Sequence, residues 1–158
     1  MLSTHHLGTA KLPWVVRCFC DAESLRLVVK REFPRMFIAT LDGQRCRTKR
    51  ALLREFEEAF HFPDYFGHNW DGLDECINDL RWLKASGYLV IVSAAEKLLS
   101  KSPDDYETFI RIMTRTGQEW SERSRPRAFH LVLATRASSG TARRRWHVPA
   151  TALALGAV

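Results

Sequence analysis

The residues of this chain best equipped for chemistry crowd into one short stretch. Between Pro63 and Leu80 stand five carboxylates, Asp64, Asp71, Asp74, Glu75 and Asp79, with no lysine or arginine among them. His61 precedes the run and His68 lies inside it. Two chemistries follow. A histidine beside a carboxylate is the pairing of a general base or a hydrolytic metal site, here His61 or His68 with Asp64 or Asp71. Uninterrupted carboxylates instead make an anionic surface that attracts a cationic partner. The first reading, a small hydrolase, lacks its supporting parts. No G-x-S-x-G nucleophile elbow, no H-E-x-x-H and no phosphate-binding glycine loop occurs. We therefore expect no enzymatic activity, no metal and no cofactor.

Aromatic residues accompany the acids: Tyr65, Phe66, Trp70 and Trp82. Rings supply contact area at small entropic cost, which suits a protein interface. The element that must position this set is a helix. Asn69 has the side chain of a helix cap, and the spacing predicts a helix from there to about Lys84. Leu73, Ile77, Leu80 and Lys84 line one side of it. At about 100° per residue, Asp71, Glu75, Asn78 and Trp82 fall within about 60° of one another on another side. Asp71 sits in the first turn, where the helix N-terminus favours a carboxylate. Glu75 follows at i+4, where like charges oppose each other by a few tenths of a kcal/mol. A cationic partner relieves that repulsion.

Around this helix, strand and helix signals alternate. The segments 14–19, 36–41, 88–92 and 128–135 read as strands. Asp21 caps a helix to about Glu32, and Thr48 caps one to Phe60. A short helix is expected over 94–99. Ser102-Pro103-Asp104-Asp105 reads as a capping box opening a long helix to about Ser124. This order predicts an α/β fold with a parallel sheet joined by right-handed crossovers. Residues 1–12 are expected to form a flexible arm, 13–135 the domain, and 136–158 a basic, disordered tail.

The chain carries a formal charge of +6 over 158 residues, yet four arginines and no acid lie from Arg136 onward. The first 135 residues hold 20 basic and 18 acidic side chains, a net of +2. Nucleic acid is therefore expected only as weak binding by Arg136, Arg143, Arg144 and Arg145, aided by Arg45, Arg47, Lys49 and Arg50. The four cysteines, Cys18, Cys20, Cys46 and Cys76, are expected to be reduced and buried, as in the cytosol. No run of about 18 apolar residues predicts a membrane span, and Met1 to Lys11, lacking a long apolar segment before a small-residue cleavage site, lead us to expect no secretory signal.

The string FPDYFGHNWDGLDECINDL, from Phe62 to Leu80, resembles the signature segment of the barstar family. The likeness extends over about residues 36–135. It implies a compact fold with a three-stranded parallel sheet, to which 14–33 add a helix and possible fourth strand. It also implies a cytoplasmic protein, monomeric when free, that plugs the active site of a basic microbial ribonuclease or nuclease toxin in an immunity or self-protection role. Carried over position by position, Tyr65 and Phe66 match the aromatic pair of the binding loop, and Asn69 the helix-start asparagine. Trp70 and Gly72 match contact residues, and Asp71 the first binding aspartate. Glu75 matches an aspartate that takes a phosphate position in the enzyme, and Cys76 a buried helix cysteine. The sequence also departs from that pattern. Glu75 is one methylene longer, Asp74 and Leu80 replace tryptophans, and Arg115 falls near the place of a binding glutamate. Asp74, Asn78 and Trp82 complete the expected binding face.

Overall fold

The computed structural model of the chain describes residues 3–136 and 145–147. Four strands run parallel: β1 (Val15–Phe19), β2 (Phe37–Asp42), β3 (Gly87–Ser93) and β4 (Ala128–Thr135). A fifth, β5 (Arg145–His147), pairs antiparallel with β1. The order across the sheet is β2-β3-β4-β1-β5. The expected parallel α/β architecture is present, and the N-terminal strand is a full member of the sheet.

The helices are α1 (Ala22–Glu32), α2 (Lys49–Phe60), α3 (Trp70–Asp79) and α4 (Asp104–Ser121). Two 3-10 turns span Thr4–Gly8 and Ala95–Lys97. Side chains alternate across a strand, so β3 and β4 serve two layers. Tyr88, Val90 and Val92 join Phe129, Leu131 and Leu133 in a large core with α2, α3 and α4. Leu89, Ile91 and Val132 face the other way and pack with Leu25 and Val29 of α1. Burial on both faces explains why the central strands read as nearly unbroken apolar runs.

Local signals place the helix starts. Asp21 accepts a hydrogen bond from the Ser24 amide at 2.8 Å, Thr48 from Ala51 at 3.2 Å and Asn69 from Gly72 at 2.7 Å. Each satisfies a helix-end donor that would otherwise lack a partner. The start of α4 differs from expectation. Pro103 holds the cap position and its ring can make no side-chain bond, while Asp105 turns toward Trp70 and accepts from its indole at 3.2 Å.

Three further expectations are corrected. The segment 1–12 is not a free arm over its described part. Leu7 is 1% exposed within the α1-side core, and the buried His130 ring lies 2.8 Å from the Thr9 carbonyl and 3.1 Å from that of Pro13. A polar ring inside a strand needs partners, and this segment supplies them. Within the expected tail, Arg145–His147 pairs with β1, since β1 otherwise leaves a row of unpaired backbone groups on that side. The remainder of 137–158 lies outside the described residues. Finally, Cys18 and Cys20 are joined by a disulfide, where four reduced cysteines were expected. Their Cα atoms are 5.4 Å apart, within the span such a bond requires. Cys46 and Cys76 are free and buried, and burial pushes their thiols up to about 12 and about 11.

Candidate partner-binding face

The face begins at the loop before α3. Gly72 is buried in the first turn, and a Cβ there would lie 3.1 Å from both the Asn69 side-chain oxygen and the Gly67 amide. Absence of a side chain thus lets the helix start against its own loop. On the outward side, Asp71 and Glu75 are exposed one turn apart. Among the described residues neither has a hydrogen-bond or ion-pair partner.

Their flanks are different. On one side Tyr65, 54% exposed, donates from its hydroxyl to Asp79 at 3.1 Å. Arg81 pairs with the same carboxylate at 2.6 Å. The Arg81 hydrogen bond leads the causes that hold the Asp79 carboxyl below its ordinary range. On the other side, Arg115 of α4 donates to Asp74 and lies 3.5 Å from Glu119. Burial, followed by the charge of Asp74, raises the Glu119 carboxyl above its usual range. Asn78 turns toward this flank, its amide donating to the Asp74 main-chain oxygen at 3.0 Å and to its carboxylate at 3.3 Å. Both flanking acids of α3 are therefore neutralised, and both central ones remain uncommitted.

Trp70 is half-buried at the upper end, its indole on Asp105 and the Lys49 ammonium 5.2 Å above its ring. That cation–π contact and hydrogen bond fix the ring beside Asp71. Asp64 is exposed, one residue before Tyr65.

Besides the buried Gly72, two more expected contact residues sit elsewhere. Phe66 is only 4% exposed, its ring 4.9 Å from that of Phe62. It supports the loop from beneath, while Tyr65 is the outward member of the pair. Trp82 is not on the helix face, because α3 stops at Asp79. Leu80 takes a left-handed conformation with φ 46° and buries its side chain, and this ends the helix as a C-cap residue does. Beyond that turn the Trp82 indole donates to the Phe60 carbonyl at 2.8 Å, which points it toward α2.

The histidines are dispersed. His68 lies 2.8 Å from Glu57 rather than beside Asp64 or Asp71. His61 ends α2 in a left-handed conformation with φ 52°. Among the described residues no group of three or more histidine, cysteine, aspartate or glutamate side chains is placed to hold a metal ion. No described helix is long and apolar enough to cross a membrane.

Sequence reasoning missed Lys49, Asp105 and Glu119 as parts of this face. They lie on α2 and α4 and meet α3 only in three dimensions. The i,i+4 spacing of Arg115 and Glu119 was the one local signal for any of them.

No curated protein matches the chain. A family model described as Barstar (barnase inhibitor) matches residues 36–134. That span contains α2, α3 and α4, hence the whole face, and it leaves β1 and α1 outside. The matched span, the parallel sheet and the placement of the acidic helix agree: this chain belongs to the barstar family of barnase-type ribonuclease inhibitors.

Proposed function

We propose that this protein is a cytoplasmic inhibitor that occludes the active site of a basic ribonuclease or nuclease toxin, protecting the cell that makes it. It is monomeric when free and meets the enzyme through α3 and the loop before it. The observation that carries this reading is the pair of exposed, uncommitted carboxylates, Asp71 and Glu75, between two acids already held by arginines. A cleft built for RNA presents cations where phosphates bind. Carboxylates occupy such positions through charge-assisted hydrogen bonds. Tyr65 and Trp70 flank the pair with ring surface suited to the same contact. Asp74 and Asp79 contribute less, because binding through them first requires release of Arg115 or Arg81. The hydrolase reading has no comparable support: His68 lies beside Glu57 and not beside Asp64 or Asp71, and among the described residues no group of three or more potential metal ligands accompanies it.

The test is titration of Asp71→Ala and Glu75→Ala against a basic ribonuclease, with melting curves alongside. Each substitution strands an enzyme cation, so the expected cost is about 2–5 kcal/mol of binding, roughly 30-fold to several thousandfold in affinity. Stability should hold or rise slightly as the i,i+4 repulsion disappears. Wild-type affinity in both folded variants would remove α3 as the interface.

A further inference from the structure

A second charged surface lies at the amino ends of the strands, away from the exposed carboxylates of α3. Lys30, Arg35, Lys84 and Arg127 line a groove of about 710 Å3, with Ser86 and Phe37 in its wall and no acid. A neighbouring groove of about 350 Å3 adds Arg81, Arg123 and Arg125. Lys84 and Arg127 line both, so the two grooves adjoin, and we refer to them together as the basic channel. Its one carboxylate, Asp79, is already engaged by Arg81. Among the described residues Arg35, Lys84, Arg125 and Arg127 have no ion-pair partner. Arg123 is held, its guanidinium 3.4 Å from the Trp120 ring centroid and donating to the Asn78 carbonyl. Lys30 is held as well, donating to the Pro34 carbonyl at 2.9 Å and the Met36 carbonyl at 3.3 Å.

We propose that this channel binds the phosphate backbone of single-stranded RNA. Several cations without counter-ions, set along a recess, match a chain with one charge per residue. Arginine forks pair with phosphate oxygens two at a time. The half-buried Phe37 at one end is packed against Phe60 and Tyr88, so recognition rests on the cations and their fit to phosphate oxygens, which a carboxylate chain matches less well. A membrane surface fits less well. The only large apolar side chains exposed among the described residues are Leu12, Leu27 and Tyr65, and none lines the channel. The activity is separate from nuclease inhibition and requires no nuclease.

The experiment is fluorescence anisotropy of the full chain with single-stranded RNA, duplex RNA, polyglutamate and anionic phospholipid vesicles. Neutralising about four phosphates predicts a log–log salt slope near −3, or about 50-fold weaker binding between ~50 and ~200 mM salt. Arg35→Gln with Lys84→Gln, both exposed side chains, should weaken RNA binding at least ten-fold with an unchanged melting temperature. Asp71→Ala, and Arg143→Gln with Arg144→Gln in the full chain, should bind RNA as the parent does. Equal binding of polyglutamate or vesicles, preference for duplex, an unaffected Arg35→Gln/Lys84→Gln variant, or loss in the Arg143→Gln/Arg144→Gln variant at unchanged melting temperature would each overturn the proposal.

Discussion

At the scale of single residues, partners separate working side chains from structural ones. Asp71 and Glu75 resemble Asp74 and Asp79 in sequence, yet only the latter have counter-ions. No local pattern announces that difference, because Arg115 reaches Asp74 from a helix 41 residues away. His130 shows the same dependence on distant groups. Both its ring nitrogens face carbonyls, those of Thr9 and Pro13, while a neutral imidazole has one N–H to donate. His6 lies beside it with ring centroids 5.0 Å apart, and Trp14 at 5.5 Å. Burial is the largest influence, and it lowers the His130 pKa from 6.5 to about 4 despite the two carbonyls. The folded state therefore keeps the ring neutral where the unfolded chain takes up a proton. That stability is present above pH 6.5 and is lost as pH falls from there toward 4. Urea unfolding at pH 7.5 and pH 5 should show a loss of about 2 kcal/mol from this group. A folded His130→Gln variant should show a flatter dependence over the same interval.

At the scale of elements, the sequence was legible wherever the deciding interaction was local. The caps Asp21, Thr48 and Asn69 bond within three residues of themselves. Strand β4 runs over the expected segment because eight consecutive residues suit a strand buried on both faces. The end of α3 was not legible. Leu80 continues the apolar spacing, and only the core it enters makes a left-handed turn favourable there. That turn removes Trp82 from the acidic face, which a helical projection had placed beside Asp71. Phe66 was misjudged for a related reason, as an aromatic pair does not state which ring points inward. Gly117 offers a quantitative check on such tertiary control. In an isolated helix, glycine to alanine gains about 1 kcal/mol. Here a Cβ would sit 2.5 Å from the Trp14 side chain, where α4 crosses the entry to β1. Gly117→Ala should therefore destabilise the protein by about 1–3 kcal/mol, the cost of overpacking, as read from denaturant midpoints. A gain would show that Trp14 moves aside freely.

At the scale of the whole molecule, a nearly balanced sequence becomes a polarised body. The first 135 residues carry a net charge of only +2, a value that conceals where the charges go. Beyond the carboxyl ends of the parallel strands, Asp21, Glu23, Asp42 and Glu96 line a cleft of about 530 Å3, with Arg136 the one cation in it among the described residues. At the amino ends lie Lys30, Arg35, Lys84 and Arg127 without an acid. The parallel arrangement gathers the strand starts at one end and the strand ends at the other, and the flanking residues give the first end its cations and the second its acids. A cationic nuclease approaching such a body is repelled by its net positive charge and by the basic channel, while the exposed acids of α3 attract it, so the field orients the encounter. Charge removal in the channel should consequently affect association and not dissociation. Stopped-flow mixing of Arg35→Gln with Lys84→Gln against a basic ribonuclease should give faster association at low salt. The gain should shrink as ionic strength approaches ~0.15 M, where screening acts within about 8 Å. The dissociation rate should match that of the parent, because neither side chain belongs to the proposed contact. Asp71→Ala should behave oppositely, with its main change in dissociation. A double variant that dissociates faster than the parent would place the channel inside the interface and redraw the binding surface.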